Sequence, residues 1–302
     1  MAAFFGSLPG AIAQGIIWGI MAIGVYITYK VLDLADLTVD GSLATGGAVF
    51  VVLSTSGVNM YLALLAALVS GCLAGLATGI LHTAFGIPAI LAGILTQLSL
   101  YSINLRIMDK NANIGISFRN YDLMITLSNI NKSLLVGACF AVVIIAILYW
   151  FFGTQIGSSI RATGCNAAMA RANGINTNLN KIIGLVISNG IVALSGALLT
   201  QWQGFADINM GRGAIVIGLA AVIIGEVIFG KLFRNFALRL LSAVVGGVIY
   251  YIVMTFVIQL GLDANDLKLF SAVVVAIFLG IPYWKSKLNF KGKSAKGGAA
   301  NA

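Results

Sequence analysis

The stretch SLLVGACFAVVIIAILYWFF, residues 133–152, decides the fold. It contains no charged side chain. As an α-helix rising about 1.5 Å per residue it reaches about 30 Å, the thickness of a bilayer's hydrocarbon core. Working outward, further apolar runs lie at 9–29, 41–56, 60–81, 88–106, 180–201, 214–230, 237–260 and 268–284. The second and seventh are short and rich in glycine, so each is a candidate for a bent or broken span. Composition agrees: the 302 residues are 60% hydrophobic and only 9% charged, with a mean hydropathy of +1.01. A soluble domain carries roughly 25% charged residues, and lipid as solvent removes that need. The expected fold is all-α: a polytopic transmembrane helix bundle of about nine spans, or ten if a re-entrant stretch hides one. It forms a single domain over 1–284, followed by a Lys-, Gly- and Ala-rich tail, 285–302, expected to be disordered.

The net charge of +9 is distributed as membrane orientation requires, with basic residues in the loops between spans, and it excludes nucleic acid as the partner. Under alternating topology twelve Lys and Arg fall on one side, including Lys30, Arg161, Arg171, Lys181, Arg239 and the tail. Six fall on the other: Arg106, Lys110, Arg119, Lys132, Arg212 and Lys268. The richer side is expected in the cytoplasm, which places the N-terminus outside and the C-terminus inside, in a bacterial inner membrane. The lysines of the tail can also touch anionic lipid heads. Residues 107–132 form the longest external loop, Asn-rich and irregular, a candidate docking surface. Cys72, Cys139 and Cys165 lack the spacing of a metal or disulfide framework and read as small packing residues.

The loop 153–180, GTQIGSSIRATGCNAAMARANGINTNLN, carries a second signal. Asn166 is a good N-cap, residues 167–172 are strong helix formers, and Asn173 with Gly174 supplies a left-handed stop. Arg171 falls in the last turn, where a cation suits the helix dipole. A helix of about two turns is marginal alone and needs something to lie against, either the protein's own membrane base or a groove on another protein.

The run Arg161-Ala162-Thr163-Gly164-Cys165-Asn166-Ala167-Ala168, followed by Arg171 and Gly174-Ile175, resembles the cytoplasmic motif of ABC-importer permeases of the branched-chain amino acid and ribose type. Two stretches, residues 34–42 (LADLTVDGS) and 101–108 (YSINLRIM), are similar to a subgroup paired with tryptophan/tyrosine-type binding proteins. The resemblance covers nearly the whole chain. It implies that the short helix is a cytoplasmic coupling helix docking into an ATPase through Arg161, Gly164, Asn166, Ala167, Ala168, Arg171 and Gly174. It further implies a permease homodimer, a separate ABC ATPase subunit that binds ATP and magnesium, and an extracytoplasmic solute-binding protein. No cofactor is expected on this chain. The window Gly225–Leu232 matches a phosphate-loop pattern only superficially, since Leu232 stands where a magnesium-binding hydroxyl belongs and the window ends an apolar span.

Few polar groups sit at membrane depth. Asp33, Asp36 and Asp40 read as a solvated turn, with Asp40 capping the second helix, or as part of a gate with Thr38. Candidate path residues are Thr38, Asp40, Ser42, Thr96, Gln97, Asn104, Asn189 and Gln201, which can equally serve as glue between helices. Gly71, Gly75 and Gly79 share one face of the third helix and permit close packing. Glu226, the sole glutamate, is expected to pair with Lys231, and His82 to be a satisfied loop histidine. The expected function is import of a small solute, with an amino acid, an aromatic one foremost, leading and nucleoside, sugar or branched-chain amino acid as alternatives. An ion-coupled carrier is the competing class, weakened by the lack of midplane carboxylates. An intramembrane enzyme lacks a nucleophile–base or metal constellation.

Overall fold

A computed structural model describes residues 2–117, 121, 123–230, 232–233, 235–259, 269–270, 272–278 and 280. Its helices, in chain order, are α1 (Ala2–Tyr26), α2 (Thr38–Thr55), α3 (Met60–Thr83), α4 (Ala89–Ile107), α5 (Ile130–Gly153), α6 (Gln155–Cys165), α7 (Ala167–Ala172), α8 (Thr177–Gln203), α9 (Ala214–Phe229) and α10 (Phe236–Gln259). α1 continues as a π-helical turn over Ile27–Val31. Two three-residue strands, β1 (Asn113–Gly115) and β2 (Phe205–Asp207), pair antiparallel with Ile114 opposite Ala206. Among the described residues, seven helices are long and apolar enough to cross a membrane: Gly6–Val31 with its π turn, α2, α3, α4, α5, α8 and α10. α9 is apolar but shorter. Helical residues 269–270, 272–278 and 280 fall within the ninth expected span, whose remainder lies outside the described residues, as does the tail.

The helices sort into an inner and an outer set. The apolar windows of α1, α8 and α2 are 83%, 78% and 72% buried, whereas those of α4 and α5 are 28% and 22% buried. α5, whose sequence announces the membrane most loudly, is the least buried of the seven. α8 runs through the centre, against α1, α2 and α3. Small residues allow this. A Cβ at Gly71 would collide with the Asn189 carbonyl, one at Gly75 with the Leu185 carbonyl, and one at Gly79 would lie 3.1 Å from the Ile182 Cα. The glycine face of α3 thus packs inside the bundle, against α8. Where hydrocarbon replaces water, such close backbone approach drives helix association.

Three expectations change. Span two is an unbroken helix, and the irregularity sits instead in the π turn that ends α1. Glu226 pairs with Lys30 of that turn at 2.7 Å, tying α9 to α1; Lys231 lies outside the described residues. The loop 107–132 is not loose where it is described. Met108, Ile116, Leu123 and Ile125 are buried, β1 pairs with β2, and Gln201 Oε1 accepts from the N–H groups of Met124 (3.1 Å) and Ile125 (3.4 Å). His82 is satisfied, with Nδ1 2.8 Å from the Ile87 carbonyl and Nε2 3.2 Å from Lys181 Nζ.

Replacing Gly75 by Val should separate α3 from α8, because the obstacle is backbone and not a flexible side chain. The expected outcome is loss of a monodisperse peak in detergent, while Leu73→Val on the exposed face of α3 leaves the elution profile unchanged; an unchanged Gly75→Val profile would refute the packing argument.

Candidate functional site

Half of the polar residues singled out as path candidates form one buried network. Asp36 Oδ2 accepts from Asn189 Nδ2 at 2.7 Å, and Asp36 Oδ1 accepts from the Thr38 N–H at 2.9 Å. Ser42 Oγ donates to Asn189 Oδ1 at 2.7 Å. The Thr38 hydroxyl lies 2.7 Å from that of Thr78, which donates to Thr96 Oγ1 at 2.9 Å. Every member is buried, with Thr38, Ser42 and Asn189 at 0% exposure. In this conformation they join α2, α3, α4 and α8, and Thr96 also borders a cavity of about 380 Å³ between α2, α3 and α4. Asp36 is accordingly no solvated turn residue. It is a buried acceptor whose oxygens are both engaged.

Asp40 also departs from expectation. It stands in the first turn of α2, but its oxygens accept from the N–H groups of Gly213 and Ile215, both at 2.9 Å, so it caps α9 and not its own helix. An anion suits a helix N-terminus, where backbone donors lack partners. The link from β2 to α9 dips into the bundle to reach it, and a Cβ at Gly211 would collide with the Asp40 carbonyl. α9 therefore starts beside the first turn of α2. Its 16 residues span about 24 Å, less than the roughly 30 Å of a hydrocarbon core.

Beside this junction lies a cavity of about 340 Å³ between α2, α4 and the link. Asp40, Gln97, Tyr101, Asn104, Ile208 and Arg212 line it. Asn104 is 1% exposed, and neither its Nδ2 nor its Oδ1 has a partner. Burying such a group unpaired costs on the order of 1–3 kcal/mol, and among the described residues no other side chain leaves both amide atoms so. The structure thus divides the predicted path set. Asp40, Gln97 and Asn104 share a cavity; Thr38, Ser42, Thr96 and Asn189 form glue; Gln201 secures the loop above. Tyr101 and Arg212 were not among the predicted path residues. Tyr101 lies one helical turn before Asn104, which is a signal the sequence holds; Arg212 comes from a distant segment, which no local spacing announces.

At the far end of the bundle, α7 takes the predicted form. The Asn166 side chain accepts from the Met169 N–H at 3.0 Å, and Gly174 closes the helix at φ +77°. Met169 is 65% exposed, Arg171 is exposed, and only Ala170 is buried. Arg161, itself exposed, and half-buried Gly164 both make contacts within the chain. Arg161 Nη2 donates to the Phe152 carbonyl at 2.9 Å, and its guanidinium carbon lies 5.9 Å from the Phe236 ring centroid. A Cβ at Gly164 would collide with the Val31 carbonyl of the π turn. Both sit on α6, which the sequence reading left as loop. Thr154 caps it, its hydroxyl accepting from the Gly157 N–H at 3.3 Å, and Gly157, Ile160 and Thr163 line its buried face at intervals of three. That spacing was the available signal. Asn180 binds α6 to α8, donating to Thr163 Oγ1 at 2.9 Å and accepting from Ser159 Oγ at 3.1 Å.

Residues 8–282 match the family described as branched-chain amino acid transport system / permease component. The chain belongs to that family of ABC-transporter permeases. It is 43% identical over 267 residues to a tyrosine transport system permease protein of Clostridioides difficile (strain R20291), covering 88% of each chain. It is 25% identical over 261 residues to the ribose import permease protein RbsC of Escherichia coli (strain K12), covering 85% of this chain and 79% of that one. In fold it is similar to PsaBC from Streptococcus pneumoniae, solved in complex with Fab, at a TM-score of 0.54 and 14% identity over 92% and 94% of the two chains. The protein is thus a multi-span ABC importer permease, and its relatives are transport subunits. In a permease, a membrane-embedded cavity and an exposed short helix at one end of the bundle are the features on which transport and coupling have to be sought.

Asn189→Leu removes the side-chain donor to Asp36 and the acceptor of Ser42 and should destabilise the permease by about 1–3 kcal/mol, the cost of leaving a buried polar group unsatisfied. Thermal unfolding in detergent is the readout, with Asn178→Leu on the exposed start of α8 as control. Equal midpoints would show that the network contributes nothing.

Proposed function

We propose that this permease forms the translocation path of an ATP-driven importer of a small solute, an amino acid with aromatic ones foremost, in a bacterial inner membrane. The substrate reading is supported by the tyrosine transport relative and by a cavity lined by groups of both charge signs, Asp40 and Arg212. Two copies of the chain assemble with two ABC ATPase subunits, which bind ATP and magnesium, and receive solute from an extracytoplasmic binding protein. The chain itself carries no catalytic residue.

The observation that carries the coupling role is α7. Six residues are too few for a helix to hold itself in water, yet α7 is capped at both ends and projects Met169 and Arg171 into the open. An exposed apolar side chain beside an exposed cation suits insertion into a groove of a separate protein. Asn166, Ala167, Ala168, Arg171 and Gly174 make up this docking surface. Arg161 and Gly164 act behind it, through α6. With α7 in the cytoplasm, alternation across nine spans puts the N-terminus outside and the C-terminal tail inside, in line with the distribution of Lys and Arg.

The test is co-purification of the chain with the ATPase encoded beside it, followed by ATP hydrolysis in nanodiscs with loaded binding protein. Arg171→Glu should lose the ATPase while still inserting into the membrane and eluting as wild type. Retention of a stoichiometric ATPase by that variant would refute the docking role of α7, and a wild-type chain that never recruits an ATPase would refute the importer assembly.

A further inference from the structure

The cavity beside the α9 N-terminus has a chemistry more specific than a weakly polar passage. Its volume, about 340 Å³, lies within the roughly 300–1,000 Å³ of small-molecule sites. Asn104 lines it, almost wholly buried, with donor and acceptor both unused. A carboxamide offers two donors and one acceptor, so an occupant that satisfies both of its atoms must itself accept and donate. Arg212 brings a positive charge to the same cavity and has no ion-pair partner among the described residues. Asp40 brings a carboxylate. Each of its oxygens accepts one backbone N–H from the α9 end, and a carboxylate oxygen can accept a second bond. Leu98, Tyr101 and Ile208 complete the wall with apolar surface.

We propose that this cavity is a subsite for the zwitterionic head of an α-amino acid. Arg212 and Asn104 Nδ2 take the α-carboxylate, Asp40 and Asn104 Oδ1 take the α-ammonium, and the apolar wall with Tyr101 receives the side chain. A neutral polyol satisfies Asn104 equally well but gives the opposed charges of Asp40 and Arg212 nothing to meet. The inference rests on the amino-acid reading of the substrate and adds to it the residues that recognise the common head group.

The test measures equilibrium binding to the full chain in nanodiscs, assembled with its co-purifying ATPase. The probes are L-tyrosine, tyramine (no carboxylate), 3-(4-hydroxyphenyl)propionate (no ammonium) and D-ribose. ATP-driven uptake of L-tyrosine, L-tryptophan and L-leucine by the complete importer runs in parallel. L-Tyrosine should bind saturably, and each truncated probe more weakly by about tenfold or more, the usual loss when a charge-assisted hydrogen bond goes. Arg212→Gln, at an exposed position, should weaken L-tyrosine by a similar factor and leave tyramine unchanged. Asn104→Leu should weaken all three aromatic probes. L-Tyrosine affinity unmoved by both variants, or tyramine binding as tightly as L-tyrosine, would overturn the subsite while continued amino-acid uptake left the substrate reading standing. Uptake of none of the three amino acids, with saturable D-ribose binding sensitive to Asn104→Leu, would overturn both.

Discussion

The side-chain amide of Asn189 fixes the centre of the permease. It lies midway along the central helix α8, donates to Asp36 and to the Leu185 carbonyl, and accepts from Ser42. The entry to α2, at Asp36 and Ser42, is thus fastened to α8 by one group. In an environment without water, Asp36 needs donors from protein, and Asn189 with the Thr38 N–H provides them. The connection between α1 and α2 is thereby drawn into the bundle and not left at its surface. Once Asp36 is held, the first turn of α2 is held, and Asp40 in that turn is placed where it meets the start of α9. The half-depth origin of α9 and the cavity beside it follow from that single anchoring.

The close contacts of α8 make this possible and limit what can change. Gly71 and Gly75 bring the backbone of α3 against its carbonyls, and Gly46 of α2 meets Ala193. With backbones that near, the hydroxyls of Thr38, Thr78 and Thr96 reach one another, and hydrogen bonds weak in water gain value from having no competing solvent. Small residues and polar residues are here one device: the former set the separation at which the latter can pair.

Hydropathy made the membrane class and most helix positions legible. Expected spans at 60–81 and 88–106 differ by a residue or two from Met60–Thr83 and Ala89–Ile107, because long apolar runs between polar turns leave little choice. α7 was equally legible, since its cap and its left-handed stop are local chemistry written into Asn166 and Gly174. What stayed hidden depends on partners distant in sequence. Nothing near Asp36 announces Asn189, nothing near Asp40 announces Gly213, and nothing near Glu226 announces Lys30. Depth was hidden too. An apolar run reports that a helix prefers lipid or protein to water, not where it begins, so residues 214–230 read as a full span. α6 was missed because its buried face is made of Gly157, Ile160 and Thr163, only one of which is strongly apolar.

The two candidate sites lie at different depths, yet one rigid element passes both. α7 continues from α6; α6 is fastened to α8 through Asn180 and rests against the π turn of α1 at Gly164. Nine residues further along α8, about 13.5 Å at helical rise, Asn189 holds Asp36 and Ser42. Two residues before Ser42, Asp40 carries α9 and borders the cavity. Every joint in this series is a hydrogen bond or backbone contact between named residues, and none is a solvent-exposed ion pair that water would screen. A push on α7 therefore cannot be absorbed locally without breaking α6 from α8. On the proposed docking role it would pass to α8 and to the end of α1 together, and of these α1 packs on α9. The Lys30–Glu226 pair closes the circuit by tying the far end of α9 to the same π turn. Geometry of this kind supplies a contiguous path; coupling in the strict sense further requires that some element on it have two arrangements. The π turn, five residues of the less common helical register at the meeting point of α1, α6 and α9, is the element on this path whose hydrogen-bond pattern differs from that of its neighbours.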